Sequence, residues 1–214
     1  AIGTMLVASA STMWKMRASL AASLKGVLRR SSGVATEDES DRDIPTKWVI
    51  GGIVLLLFPI TAIYASFTGD WAIAAGTAVI MVVTGFLLSA IGGYLVGLVG
   101  SSNQPLSGLT LTALLLSALL LVAFGVTGSA GVAAVLGVAA VVCVAGSVAG
   151  SLIQDLKAGH LLGGTPWKMQ VVEIVAVVML SFFLMWPIIA LHEAEAASGG
   201  IGGRTLPAPQ AALM

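Results

Sequence analysis

The sequence predicts an all-α fold, a polytopic bundle of transmembrane helices. Three observations lead there. Of its 214 residues 57% are hydrophobic and only 9% charged, where ordinary soluble domains carry about 25% charged residues. The mean hydropathy is +1.02, so lipid rather than water must face most of the surface. The apolar residues also gather into about five runs of spanning length, separated by short polar or glycine-rich breaks.

The formal net charge is zero, which gives a nucleic acid no electrostatic footprint. Cys143 is the sole cysteine, so an intrachain disulfide and a cysteine metal cluster are both excluded.

In chain order, residues 1–14 form an apolar stub too short to span alone, the expected end of an upstream helix. Residues 15–47 make a connection. Its first half, KMRASLAASLKGVLRR, places Met16, Leu20, Leu24, Val27 and Leu28 at helical spacing with Arg17, Lys25 and Arg29 off that stripe. Such a segment suits a helix at the membrane surface. The acidic stretch that follows, up to Pro45, reads as a solvated loop.

Residues 48–191 hold five spans. The first runs from about Trp48 to Phe67, with Pro59 expected to kink it. The second, Trp71 to Gly100, would be about 45 Å long as a helix, beyond the ~30 Å hydrocarbon core. It must tilt, protrude or break, with Gly92-Gly93 as the weak point. The connection SSNQPLSG follows, where Pro105 and Gly108 are expected to prevent a regular helix. The third span covers Leu109 to Val126 and ends in a TGSAG turn. The fourth, Val132 to Ala149, is nearly all Ala, Val and Gly, as a helix buried in a bundle would be. Ser151 to Lys168 is a polar connection, and the fifth span runs from Val171 to Leu191. Residues 192–214 form an external loop and the start of a further segment. A chain that begins at Ala1 inside an apolar stretch and stops in LPAPQAALM reads as an internal excerpt.

Seven of the ten basic residues lie between Lys15 and Lys47, which makes that connection cytoplasmic. Counting crossings, Asp70 falls outside, SSNQPLSG inside, TGSAG outside and the Lys157/Lys168 connection inside. Trp14, Trp48, Trp71 and Trp167 each stand by a charged residue at a boundary, as in an interfacial belt. The pairs Gly93/Gly97 and Gly146/Gly150 offer close helix approach.

Polar chemistry is sparse, and each candidate has a plain alternative. In SSNQPLSG the amides and hydroxyls suit either an interfacial turn or a broken helix lining a watery route. Asp155 and His160 form a proton relay if their segment dips into the membrane, and otherwise belong to a solvated loop. Glu173 is an acid inside the fifth apolar run, where it either carries a proton or reaches the headgroups. His192, Glu193 and Glu195 lack the spacing of a helical metal site and read as a polar helix end. No nucleotide-binding glycine loop, GxSxG or HExxH occurs. Catalytic and metal residues are therefore not assigned.

SSNQPLSGLT, QDLKAGHLLGGTPWKMQ and LPAPQAALM, in this order, resemble characteristic segments of the oligopeptide transporter family, which includes yellow-stripe-like carriers of metal chelates. DRDIPTKW also resembles a loop of its prokaryotic members. The resemblance covers most of the chain from Lys15 onward. It departs from NPxSG by Gln104 between Asn103 and Pro105, and from DLKTG by Ala158 in place of the threonine. It implies a fragment of a larger transporter, driven by a proton gradient without a cofactor, that carries small peptides or metal chelates. Asn103, Gln104, Pro105, Ser107 and Gly108 would line the substrate path, and Asp155, His160 and Glu173 would serve proton coupling or gating. Expected partners are membrane lipids, the substrate and the remaining helices, with no nucleic acid. The expected location is the cytoplasmic (plasma) membrane of a prokaryote. Two other readings remain open at this point: a non-catalytic helix-packing subunit, and a membrane enzyme using Asp155 and His160 as acid and base.

Overall fold

The structure is a computed structural model that describes Thr4, Val7, Ser11, Trp14, Lys15, Arg17, Ala18 and residues 42–208. Those seven early residues have helical backbone; most of the surface-helix stripe and of the acidic loop lies outside the described residues. Within this first stretch the Arg17 guanidinium stacks 4.7 Å from the Trp14 ring centroid.

Among the described residues five helices are long and apolar enough to cross a membrane, as the fold class requires: α1 (Thr46–Thr68), α2 (Trp71–Val99), α3 (Leu106–Ala123), α4 (Gly128–Leu161) and α5 (Pro166–Ala194). Among the described residues the only extended pairing is a single bridge between Ile201 and Leu206. The chain divides into two compact units, Ala1–Pro166 and Trp167–Met214.

In the first unit α2 and α4 share the most extensive contact, α3 packs on α4, and α1 on α2. The core comes from one stripe of each helix: Ala74, Ala78, Met81, Leu88 and Ile91 of α2; Leu109, Ala113 and Leu121 of α3; Ala134, Val138 and Val142 of α4. Tyr64 closes the end of α1. Its hydroxyl donates to Met81 Sδ at 3.5 Å, and its ring lies against Gly137. Hydroxyls in the helices mostly bond back to the preceding turn, as Thr110 does to the Leu106 carbonyl at 2.8 Å and Ser117 to that of Ala113 at 2.8 Å. That local bond satisfies a polar group which lipid would leave bare.

Several boundaries differ from those expected of the sequence, each for a local reason. The second helix does not break at Gly92-Gly93. It starts on Asp70, whose carboxylate accepts from the Ala72 and Ile73 amides at 2.7 and 3.2 Å, and it ends at Gly100 with φ 85°. Pro59 and Pro187 lie inside α1 and α5, as the expected spans have them. Helix α3 begins directly after Pro105, so Gly108 sits inside its first turn rather than preventing it. Pro105 needs no amide partner there, since the first amides of a helix have none within it. TGSAG is not the turn: Gly128 to Gly131 are helical, and the chain reverses at Phe124–Thr127.

The largest difference is α4, which absorbs Ser151 to Leu161. Nothing between Ala149 and His160 breaks a helix except isolated glycines, and the chain turns only at Leu162–Thr165, with Gly163 at φ 75°. Its 34 residues give a length of about 51 Å, some 20 Å more than a hydrocarbon core. Nor is α4 buried all round. One stripe is enclosed, including Gly131, Ala134, Val138, Val142, Gly146 and Gly150, while Val132, Leu136 and Val144 are exposed. The most enclosed helix is α3.

The second unit holds α5, with none of its residues buried, and the loop after it. That loop is organised by one carboxylate. Glu195 Oε2 accepts from Thr205 Oγ1 at 2.6 Å and from Ser198 Oγ at 2.9 Å, and these two hydroxyls hold its carboxyl below the usual range. His192 is not a free helix end: its Nδ1 accepts from the Ile201 amide at 3.2 Å, and its ring lies against Gly200.

Candidate functional site

The connection between α2 and α3 is where polar chemistry enters the bundle. After Gly100 the chain makes a 3-10 turn, Ser101–Asn103, is extended at Gln104, and turns tightly at Pro105, where the Leu106 amide donates to the Gln104 carbonyl at 2.8 Å, into α3. Asn103, Pro105 and Ser107 are exposed, Gln104 is half-buried and Gly108 is buried. Asn103 Nδ2 donates to the Val99 carbonyl at 3.3 Å. Among the described residues no side chain caps the start of α3; the Leu106 and Leu109 amides donate to the Gln104 and Pro105 carbonyls at 2.8 and 3.1 Å, which leaves those of Ser107 and Gly108 at the positive end of the helix dipole.

Gln104 is the pivot. Its Nε2 donates to the Gly146 carbonyl of α4 at 2.9 Å. The side chain fits only because glycine surrounds it: a Cβ on Gly92 of α2 or on Gly150 of α4 would collide with the amide. Leu106 packs over Gly146 from the α3 side. Glycine at these positions therefore makes room for a side chain from the connection rather than for helix backbone alone. Gly93 accommodates Ile153, whereas Gly97 has nothing near it and supports no close approach.

A second tie lies two helical turns past Gly146. Ser101 Oγ donates to Gln154 Oε1 at 2.6 Å. Gln154 was not singled out by the sequence, yet it continues the Gly146/Gly150 stripe by four residues, and that spacing was the available signal. Gly85 faces Val142 while Val96 faces Gly150, so α2 and α4 run in the same direction. Ser89 falls between those two levels, and its Oγ is enclosed with no hydrogen-bond partner among the described residues.

The ionisable candidates are not gathered with the amides. Asp155, Lys157 and His160 are all exposed on the protruding part of α4. Five residues separate Asp155 from His160, placing them about 140° apart around a helix. Among the described residues no hydrogen bond joins the pair. Asp155 does directly follow Gln154, so it borders the tie to the connection. Glu173 lies in the second turn of α5, in the other unit, and is half-buried. Lys168 stands 5.8 Å from the Trp167 ring centroid at the start of that helix, an arrangement suited to an interface.

Long apolar helices with a non-helical, uncharged polar connection pinned among them define a multi-pass membrane protein with a polar element inside its bundle. The model of the family described as OPT oligopeptide transporter protein matches residues 1–214. The chain belongs to the oligopeptide transporter family. A curated Haemophilus influenzae protein with the name "Putative oligopeptide transporter" is 28% identical over 203 residues, covering 84% of this chain and 32% of that protein. The chain thus spans about a third of the length of that relative. No solved structure matches.

Proposed function

We propose that the protein containing this chain is a secondary transporter of small peptides or metal chelates, driven by proton symport in the cytoplasmic membrane of a prokaryote. The carrying observation is the connection around Gln104: irregular backbone at the edge of an apolar bundle, with an uncapped helix start beside it. Irregular backbone of this kind is tolerated in membranes where it is enclosed by protein or borders water. Transporters use helix starts to hold anionic groups such as a peptide carboxylate.

In this reading the Asn103 and Ser107 side chains and the Ser107 and Gly108 amides face the substrate. Gln104 and Pro105 fix the shape of the connection, and Gly108 lets α3 start against its neighbours. Asp155, His160 and Glu173 exchange protons with the two sides, and the charge change biases one conformation. A proton gradient supplies the energy and no cofactor enters. Lipids and the remaining helices of the full-length protein complete the surroundings. Family membership supports transport rather than catalysis.

The test is uptake of a mixed di- and tripeptide pool, and separately of an iron chelate, into proteoliposomes holding the full-length protein. With an inward-directed pH gradient the interior concentration should exceed the exterior. Flux that merely equilibrates, unchanged by the gradient, would refute symport.

A further inference from the structure

Two amides tie the α2–α3 connection to α4, and they differ in environment. Gln104 is wedged between glycines of α2 and α4, and its bond to the Gly146 carbonyl is partly buried. The Ser101–Gln154 bond is exposed in this chain, on the part of α4 that carries Asp155, Lys157 and His160, and joins two side chains 53 residues apart. A bond between neutral groups in contact with water is easily exchanged for bonds to water. The wedged amide has no such exchange without moving a helix.

From this contrast we propose that Gln154 is a positioning residue: its Oε1 holds Ser101 as a releasable latch, while Gln104 acts as the fixed pin. The latch sets where Asn103 and the start of α3 stand. It also makes the connection follow the protruding part of α4, on which Asp155 is the next residue. The proposal rests on the reading that this connection borders the substrate path, and its test is chosen to stand apart from that reading.

Ser102 is exposed and has no role in either tie, so Ser102→Cys, in a full-length background with Cys143→Ala and every other cysteine replaced, reports the freedom of the connection. The full-length protein in membrane vesicles is treated with a membrane-impermeant maleimide, and the labelling rate is followed. Ser101→Ala and Gln154→Leu should each raise the rate about three- to tenfold, the population change expected for losing one neutral hydrogen bond. Their combination should raise it no further. Gln154→Glu retains an accepting oxygen for the Ser101 hydroxyl and should label like the parent.

The same variants should raise the KM for peptide uptake with kcat largely kept, and Gln154→Glu should restore it. Unchanged labelling in both Ser101→Ala and Gln154→Leu, additive effects in the double variant, or Gln154→Glu behaving like Gln154→Leu would each overturn the latch. Should the labelling pattern hold while no variant, nor the parent, takes up peptide, the latch stands and the transport reading falls.

Discussion

Replacing Gly150 by alanine tests the central packing claim, because one methyl group is enough to evict Gln104. The added carbon would run into Gln104 Oε1, with Gln104 Cδ at 3.0 Å and Val96 Cγ2 at 3.1 Å. Val96 is buried and cannot retreat far, so the amide has to leave. Its bond to the Gly146 carbonyl goes with it, at a cost of about 0.6 kcal/mol and at most ~1.7, as for hydrogen bonds between membrane helices. Forcing extra volume into a packed contact adds about 1–3 kcal/mol. Alanine returns roughly 0.8–1 kcal/mol by its better helix propensity. The net expectation is a loss of about 1–3 kcal/mol.

The assay is reversible unfolding of the full-length protein in mixed micelles, titrating a denaturing detergent. Gly97→Ala is the control: it lies on α2 with nothing within 4 Å, so it should be neutral or slightly stabilising. Gln104→Ala combined with Gly150→Ala should cost about 1 kcal/mol less than the two single losses added, since the vacated space accepts the methyl. Equal effects of Gly150→Ala and Gly97→Ala would refute the reasoning. So would strict additivity in the double variant.

Two further outcomes follow from the remaining geometry. The carboxyl of Glu195 is held low by the hydroxyls of Thr205 and Ser198, so its stabilisation of the loop is present above the ordinary carboxylate range. It is lost as pH falls through the lowered value. Amide exchange at Ser198 to Leu206, corrected for intrinsic rates, should therefore speed up as pH falls below the ordinary carboxylate range and be fast at all pH in Glu195→Ala; exchange without pH dependence in the parent would disprove this. The Ser101–Gln154 bond places the α2–α3 connection and the end of α4 at one end of the bundle, so single cysteines at Ser102 and Lys157 should be labelled from the same face of the membrane. One at Asp70 should react from the opposite face, and labelling of all three from one face would contradict the helix order.

The existence of five spans was legible because apolar run length is a coarse property that the bilayer enforces. Their ends were less legible. Helix α2 starts at Trp71, where the second apolar run begins, and Asp70 caps it. The end of α4 is hidden because polarity between Gln154 and His160 resembles a loop, whereas a helix only needs the absence of breakers. The Gly146/Gly150 pair was correctly read as a site of close approach, but the approaching group is the Gln104 amide, from a segment 42 residues earlier. Nothing local to either segment encodes that pairing. At Gly97 the same spacing offers an approach that no described residue takes up.

The lengths of the helices explain why the connection is uncharged. Helix α3 has 18 residues, about 27 Å of rise, barely the thickness of a hydrocarbon core. Gly146 lies 18 residues into α4, so the Gln104 pin stands about 27 Å from the start of that helix. Beyond Gly150 the helix continues for another 11 residues to Leu161, about 16 Å further. The connection is therefore overhung by the last three turns of its neighbour. A charge there would be costly to enclose, and unpaired backbone would be nearly as costly. Amides and hydroxyls from Ser101 to Gln104 meet the backbone's needs without that cost, while Asp155, Lys157 and His160 ride on the overhang, where water is within reach.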